Sequence, residues 1–287
     1  MNIHNNHVIN DPLAVIYNEG YWRLSKVSPL FNIQSNAIKF KQYASKIRQG
    51  IITAIPAKPG VKFTVVIEAQ PYLKYNEDDP EAFMINVSSQ ESNKSKIVFT
   101  CILLSWGVTM KVPESIHLPF MLEHGEKRIG ASVKSTLQSL FDCTIKQFYF
   151  SQHQLLRFGF GFVENDTSRS TDPFTLCFSV LADHKNKLSL SFEVGDVNMI
   201  WHRAKGDSTA SSKTDKLAYQ ILQNQIFFSM QLDVTPLDLC EINLTKAEVK
   251  SDGVVKMKTP ELVNCVFTVL NEIISSQNVT NNNAVEL

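Results

Sequence analysis

The stretch PLDLCEINLTKAEVKSDGVVKMKTPELVNCVF, residues 236–267, constrains the fold more than any other part of the chain. Its apolar side chains begin on odd positions, Leu237 and Leu239, and then move to even ones, Cys240, Ile242 and Leu244. Side chains alternate between the two faces of a strand, so this change requires either a bulge or a strand that is apolar on both sides. The strand is read as ending at KSDG, a hairpin turn from which VVKMK returns. Thr259-Pro260-Glu261 then supply an N-cap, a proline at the first helical position and an acid at the positive end of the dipole. In the helix that follows, Leu262, Val263, Val266, Phe267, Leu270, Ile273 and Ile274 share one arc, which covers one side of the hairpin. The other side, with Leu237 and Leu239, needs a second cover. Two are available: a partner protein, or a helix predicted at 215–230 that is apolar on more than one side through Leu217, Ile221, Phe228, Leu222 and Ile226.

Upstream, YWRLSKV at 21–27 alternates as a strand and stops at Ser28-Pro29. A helix is expected from Asn36 to about Thr53, with Phe40, Tyr43, Ala44, Ile47 and Ile51 on one stripe, ended by PAKPG at 56–60. Strands follow at 61–69, 82–88 and 96–105, while 107–131 has no readable period. Further helices are expected at 132–141, capped by Ser132, and after Ser151 over QHQLLRFGFGF. Strands at 174–182 and 188–194 flank the turn DHKNK, and a short helix from Asp196 to His202 precedes the polar loop KGDSTASSKTD. The order of elements gives a mixed α+β fold, largely antiparallel, with helices packed on one face and a C-terminal hairpin plus helix. The expected organisation is a disordered tail over 1–19, an α+β lobe over 20–205, a flexible loop at 206–214, a helix-hairpin-helix lobe at 215–277 and a second disordered tail over 278–287.

Several functions are argued against by what is missing. The densest apolar run, IVFTCILLSWGV, falls short of the roughly 20 residues that cross a bilayer, so no membrane partner is expected. MNIHNNHVINDPLAVIY has no basic start followed by an apolar run, so no secretory signal is read there. The five cysteines form no C-x-x-C pair and suit reduced thiols in the cytosol or nucleus. His117 and the Glu123-His124 pair fit no zinc spacing, and Cys143 with His153 is the one conceivable thiolate pair, outweighed by a buried structural cysteine. RFGFGF lacks the Lys-Ser/Thr of a phosphate loop. No catalytic residue, metal or cofactor is expected, and the chain reads as non-enzymatic.

One charge feature stands out because the formal net charge is zero. No acidic residue lies between Glu19 and Glu68, yet that segment holds Arg23, Lys26, Lys39, Lys41, Lys46, Arg48, Lys58 and Lys62. On the predicted helix, Lys39 and Lys46 flank the apolar stripe on one side and Lys41 and Arg48 on the other. These four are the candidate nucleic-acid-binding residues, acting on phosphates without reading bases. The competing reading is a solvated face whose lysine stems cover the edge of the stripe.

Two blocks together resemble a known family. YWRLSKVSPLFNIQSNAIKFKQYASKIRQGI at 21–51 is similar to the start of the centromere protein L (CENP-L) family: a Trp-x-Leu strand, a Pro-Leu-aromatic turn and a helix with Lys, Tyr and aliphatic residues. FFSMQLDVTPLDLCEINLTKAEVKSDGVVKMKTPELVNCVFTVLNEI at 227–273 is similar to its ending in order and spacing, and FDCTIKQFYFSQHQL and SFEVGDVNMIW add weaker matches. The resemblance implies a non-enzymatic subunit of the inner kinetochore, within the constitutive centromere-associated network. It also implies a heterodimer with a CENP-N-like protein through the C-terminal sheet, contacts with other inner-kinetochore subunits, and docking on centromeric CENP-A nucleosomes and linker DNA through the complex. On that reading Leu237, Leu239, Ile242 and Leu244 are anchors for the partner, with Glu241, Asn243 and Thr245 at the rim or in cross-strand pairs. The isolated chain is expected to be at risk of homodimerising through the same sheet. The alternative function is a stand-alone nucleic-acid-binding protein using the basic segment 23–62.

Overall fold

The structure is a computed structural model and describes residues 11–55, 61–91, 94–108, 112–165, 169–180, 186–207 and 211–283. The elements run α1 (Ala14–Tyr17), β1 (Tyr21–Val27), β2 (Leu30–Phe31), α2 (Ala37–Ala54), β3 (Lys62–Gln70), β4 (Ala82–Glu91) and β5 (Lys94–Leu104). They continue with β6 (Ser115–Ile116), β7 (Phe120–Gly125), α3 (Lys127–Phe141), β8 (Ile145–Gln147), α4 (Gln152–Asn165), β9 (Pro173–Ser179) and β10 (Lys187–Glu193). The last are α5 (Val194–Asp207), α6 (Ser211–Met230), β11 (Asp238–Asn243), β12 (Ala247–Lys250), β13 (Val254–Met257) and α7 (Pro260–Asn283).

One antiparallel sheet holds eleven strands in the order β10-β9-β11-β12-β13-β1-β7-β5-β4-β3, with β8 beside β1; β2 and β6 pair separately. β1 is the seam: Tyr21–Arg23 pair with β13, while its other edge pairs with β7. The earliest strand thus joins the C-terminal meander to the middle of the chain. Strands from both sides of segment 206–214 share this sheet, because β9 pairs with β11.

The α+β class stands, but the helices expected on one face are distributed over both. Along β7, Phe120 and Leu122 belong to one core cluster and Met121 to the other; along β5, Ile102 and Leu104 alternate in the same way with Cys101 and Leu103. Alternate residues point to opposite faces. The larger cluster is built with α1 and α4–α7, the smaller with α2 and α3. This explains why IVFTCILL reads as an unbroken apolar run: β5 is buried on both sides.

Several local expectations are corrected. Ile16 of α1 is fully buried and its carbonyl accepts the indole N–H of Trp22 at 2.8 Å, so the expected tail contains an anchored turn. α3 begins at Lys127, and Ser132 is a buried interior residue rather than its cap. Ser151 does cap α4, its hydroxyl accepting the Gln154 N–H at 3.3 Å. α5 and α6 extend to Asp207 and from Ser211, into the expected loop, and α7 reaches Asn283, into the expected second tail. The terminator at 56–60 and most of the DHKNK turn lie outside the described residues.

Candidate interaction surfaces

The odd-to-even change in β11 is a bulge. Leu239 opposes Phe178 and Glu241 opposes Cys177, so the register with β9 slips by one residue at Cys240. The extra residue restores Leu239 and Ile242 to the same side. The strand also does not run on to KSDG: Leu244 N–H bonds Ala247 O at 2.8 Å, the chain reverses there, and β12 pairs back on β11. What reads as one long strand is the pair β11 and β12, which with β13 forms a three-strand meander whose buried apolar residues face one way.

That side is a continuous cross-sheet row. Leu190, Leu176, Ile242, Val249, Val255 and Trp22 are paired neighbours across β10, β9, β11, β12, β13 and β1. Leu239, Ile242 and Leu244 are 4%, 0% and 2% exposed within the larger core, and Leu237 packs against it half-buried. Of the four apolar residues expected to anchor a partner, Leu239, Ile242 and Leu244 are therefore covered by this chain and Leu237 is partly covered. Their cover is α4: a Cβ on Gly159 would lie 2.6 Å from Ile242 Cδ1 and 2.8 Å separates the equivalent position of Gly161 from Cys265 Sγ of α7. The two glycines of RFGFGF let an otherwise apolar helix sit directly between β11 and α7. The helix at 215–230, the alternative cover, packs its Leu222 and Ile226 into the same core but on α5 and α4.

The opposite face of these strands is polar, and no helix among the described residues lies over it. Ser191, Thr175, Asn243, Glu248, Lys256 and Tyr21 form one row across six strands, and Ser189, Cys177, Glu241 and Lys250 the next. Ion pairs knit the rows. Glu241 accepts Lys187 at 2.7 Å and lies 3.6 Å from Lys250, which is 2.8 Å from Glu248; Glu248 also accepts the Tyr21 hydroxyl at 2.9 Å. The bond to Glu241 raises the pKa of Lys187 above its ordinary value. Of the seven expected partner residues, Glu241, Asn243 and exposed Thr245 are on this face or at its turn. A cleft of 560 Å³ opens here between Tyr149, Lys187, Cys240 and Lys250. Burial raises the pKa of the Cys240 and Cys177 thiols, so neither is primed as a nucleophile. With six strands spaced about 4.8 Å apart, the face is roughly 25 Å wide.

The second surface is the α2–α3 layer. Asn36 caps α2 by accepting the Lys39 N–H at 2.9 Å, and Tyr43, Ile47 and Ile51 bury the inner stripe. Tyr43 meets Phe141 of α3 edge-on at 5.0 Å, and Gly50 leaves room for Thr136, so the helices pack antiparallel and close. Lys41, Lys46 and Arg48 are exposed and Lys39 half-exposed, and none forms an ion pair among the described residues. Lys41 and Arg48 line a groove of 330 Å³ against Phe63, Thr64 and Val65 of the edge strand β3. The structure adds two cations that sequence reading missed, Lys127 and Arg128 of α3; Arg128 lines a 430 Å³ groove with Ala54 and Ile55. The signal was present, since 127–141 is also free of acidic residues. Cations in a helix's first turn oppose its dipole at roughly 0.3–1 kcal/mol each, and Glu126 at the N-cap of α3 is the acid beside Lys127 and Arg128. The layer gathers Lys39, Lys41, Lys46, Arg48, Lys127 and Arg128 on a chain of zero formal net charge.

The residues weighed for other chemistry are placed apart from one another. Cys143 donates to Leu137 O at 3.8 Å, and burial pushes its thiol up to about 11. Glu123 is occupied by Arg23 at 3.0 Å and Lys134 at 3.1 Å, while the His124 ring lies tilted against Trp22 at 5.9 Å between centroids. No group of three or more metal-ligating side chains occurs among the described residues. No helix among them is long and apolar enough to cross a membrane.

Compared with known proteins, the chain matches the family model described as centromere protein L over residues 16–286. It is 22% identical to centromere protein L of Xenopus tropicalis, in an alignment covering 92% of this chain and 80% of that relative.

Proposed function

The chain belongs to the centromere protein L family, and on that premise we propose that it is a non-enzymatic inner-kinetochore subunit that pairs with a CENP-N-like protein and helps hold the complex on centromeric CENP-A chromatin. Family membership makes it a nuclear centromere and kinetochore component with a role in chromosome segregation. The pairing and the docking are the proposed part.

The observation that carries the reading is the asymmetry of the two sheet halves. Over β3–β7 the face opposite the larger core is sealed by α2 and α3, whereas over β9–β13 no helix among the described residues covers the ion-paired polar surface, which ends at the edge strand β10. Such a surface fits a partner strand or sheet recognised by main-chain hydrogen bonds and polar side chains, with an interface on the order of 1,600 Å². The pairing proposed here uses the polar side, with Glu241, Asn243 and Thr245 as contacts, and not the apolar side. Co-purification tests it. Asn243→Arg together with Thr245→Arg, at half-exposed and exposed positions, should leave the fold intact and abolish recovery of the CENP-N-like protein. Undiminished recovery would remove this face from the interface.

For docking, Lys39, Lys41, Lys46 and Arg48, extended by Lys127 and Arg128, would neutralise phosphates along the linker. Reversing the first four charges should weaken DNA binding by the complex and flatten its dependence on salt, without a change in melting temperature. Filter binding with the isolated chain separates this from stand-alone DNA binding, in which affinity would survive loss of the partner.

A further inference from the structure

α4, α6 and α7 meet at a surface cleft of 270 Å³, away from both surfaces above. Asp215 of α6 lines it with a side chain that is 1% exposed, and neither carboxylate oxygen has a hydrogen-bond partner among the described residues. Nη1 of Arg157 lies 3.9 Å from Asp215 Oδ1, beyond hydrogen-bond reach. Arg157 is committed elsewhere, donating through Nε and Nη2 to the two oxygens of Glu272 at 3.1 Å each. Two carboxylates thus face one guanidinium, with His153 nearby on the rim. A buried carboxylate without donors is costly, and natural structures rarely keep one unless something else supplies them.

We propose that this cleft seats one basic side chain, an arginine or a lysine, presented by another polypeptide, with Asp215 as its counter-charge. The volume falls below that of pockets for drug-sized ligands and suits a single side chain. Val269 and Ile273 provide an apolar wall for the methylene stem of such a residue, which a bare metal ion would not use. Burial raises the pKa of Asp215, and Glu272 adds to the rise against the opposing effects of Arg157 and His153, so the site gains most when a cation arrives. Charge-assisted donation from a guanidinium to Asp215 would complete what Arg157 leaves undone. The proposal stands independently of the DNA contact and of the sheet interface.

Methyl NMR on the full chain, with Val and Ile methyl groups labelled, reads the site directly. The probes are N-acetyl-arginine amide and N-acetyl-lysine amide, with N-acetyl-citrulline amide as the uncharged match in shape and spermidine as a free polyamine. At least one of the basic amides should shift Val269 and Ile273 saturably, with half-saturation on the order of 10 mM for one charge-assisted contact. Citrulline should leave them still, and Asp215→Asn should weaken the response at least about tenfold. Silent methyls, an equal response to citrulline, or an undiminished response in Asp215→Asn would overturn the proposal. A stronger response to spermidine than to either amide would also overturn it, in favour of a free polyamine. If Asp215→Asn does not fold, the contrast between arginine and citrulline on the unsubstituted chain still decides.

Discussion

Replacing Gly159 with alanine tests whether α4 rests directly on β11. The new Cβ would lie 2.6 Å from Ile242 Cδ1, 3.1 Å from Ile242 Cγ2 and 3.6 Å from Phe174 Cζ, with Ile242 fully buried and unable to swing into solvent. Overpacking of this kind costs about 1–3 kcal/mol. Against it, alanine in a helix interior gains roughly 0.5–1 kcal/mol over glycine. The net expectation is a loss of about 0.5–2 kcal/mol, a fall in melting temperature of a few degrees for a chain of this size. Ile242→Val removes Cδ1, the atom in the way, and alone costs about 0.5–1.5 kcal/mol. In the double variant the remaining contact is the 3.1 Å approach to Cγ2, so the combined loss should be smaller than the sum by about 1 kcal/mol. Urea unfolding followed by fluorescence of the buried Trp22, Trp106 and Trp201 measures all three variants. Additive losses, or a Gly159→Ala variant stabilised by its helix propensity alone, would mean that α4 does not cover β11 and that the apolar face is open to a partner after all.

Two further outcomes follow from buried carboxylates. Asp79 Oδ2 accepts the N–H groups of Tyr75, Asn76 and Gly107 at 3.0, 3.3 and 2.9 Å, fastening the loop after β3 to the end of β5; Asp79→Ala should cost about 3 kcal/mol, and a loss below about 0.5 kcal/mol in urea titration would refute that role. For Asp215 the folded pKa lies above the ordinary value of 3.8, chiefly through burial, so the folded state holds its proton more tightly than the unfolded chain and stability falls as pH rises through the raised pKa. Asp215→Asn should therefore raise the melting temperature at pH 7, with the gain fading towards pH 4 and absent below it; a gain constant with pH would contradict the assignment.

The C-terminal meander shows where sequence reading reaches its limit. The parity change at Cys240 announces either a bulge or a two-faced strand, and both satisfy the local pattern equally. Register with β9, a strand sixty residues earlier, selects the bulge. Nor does the meander name its own cover: α4 is supplied from some eighty residues upstream, and RFGFGF, where glycines weaken the helical signal, is where close approach requires them. In 107–131, the lack of a period reflects β7, whose residues are buried on both faces and so do not alternate.

The sequence by itself determined what depends on neighbours a few residues away: α2 and the capped α7 with their apolar stripes, the strand at 21–27, the family resemblance, and the acid-free window that marks the basic helix. Only the tertiary structure decided which of two faces each strand buries, that the helices cover opposite faces of one sheet, and that Leu239, Ile242 and Leu244 serve the chain's own core. Periodicity is a short-range property fixed by backbone geometry, whereas burial depends on which distant segment arrives to exclude water, and no local pattern specifies that segment.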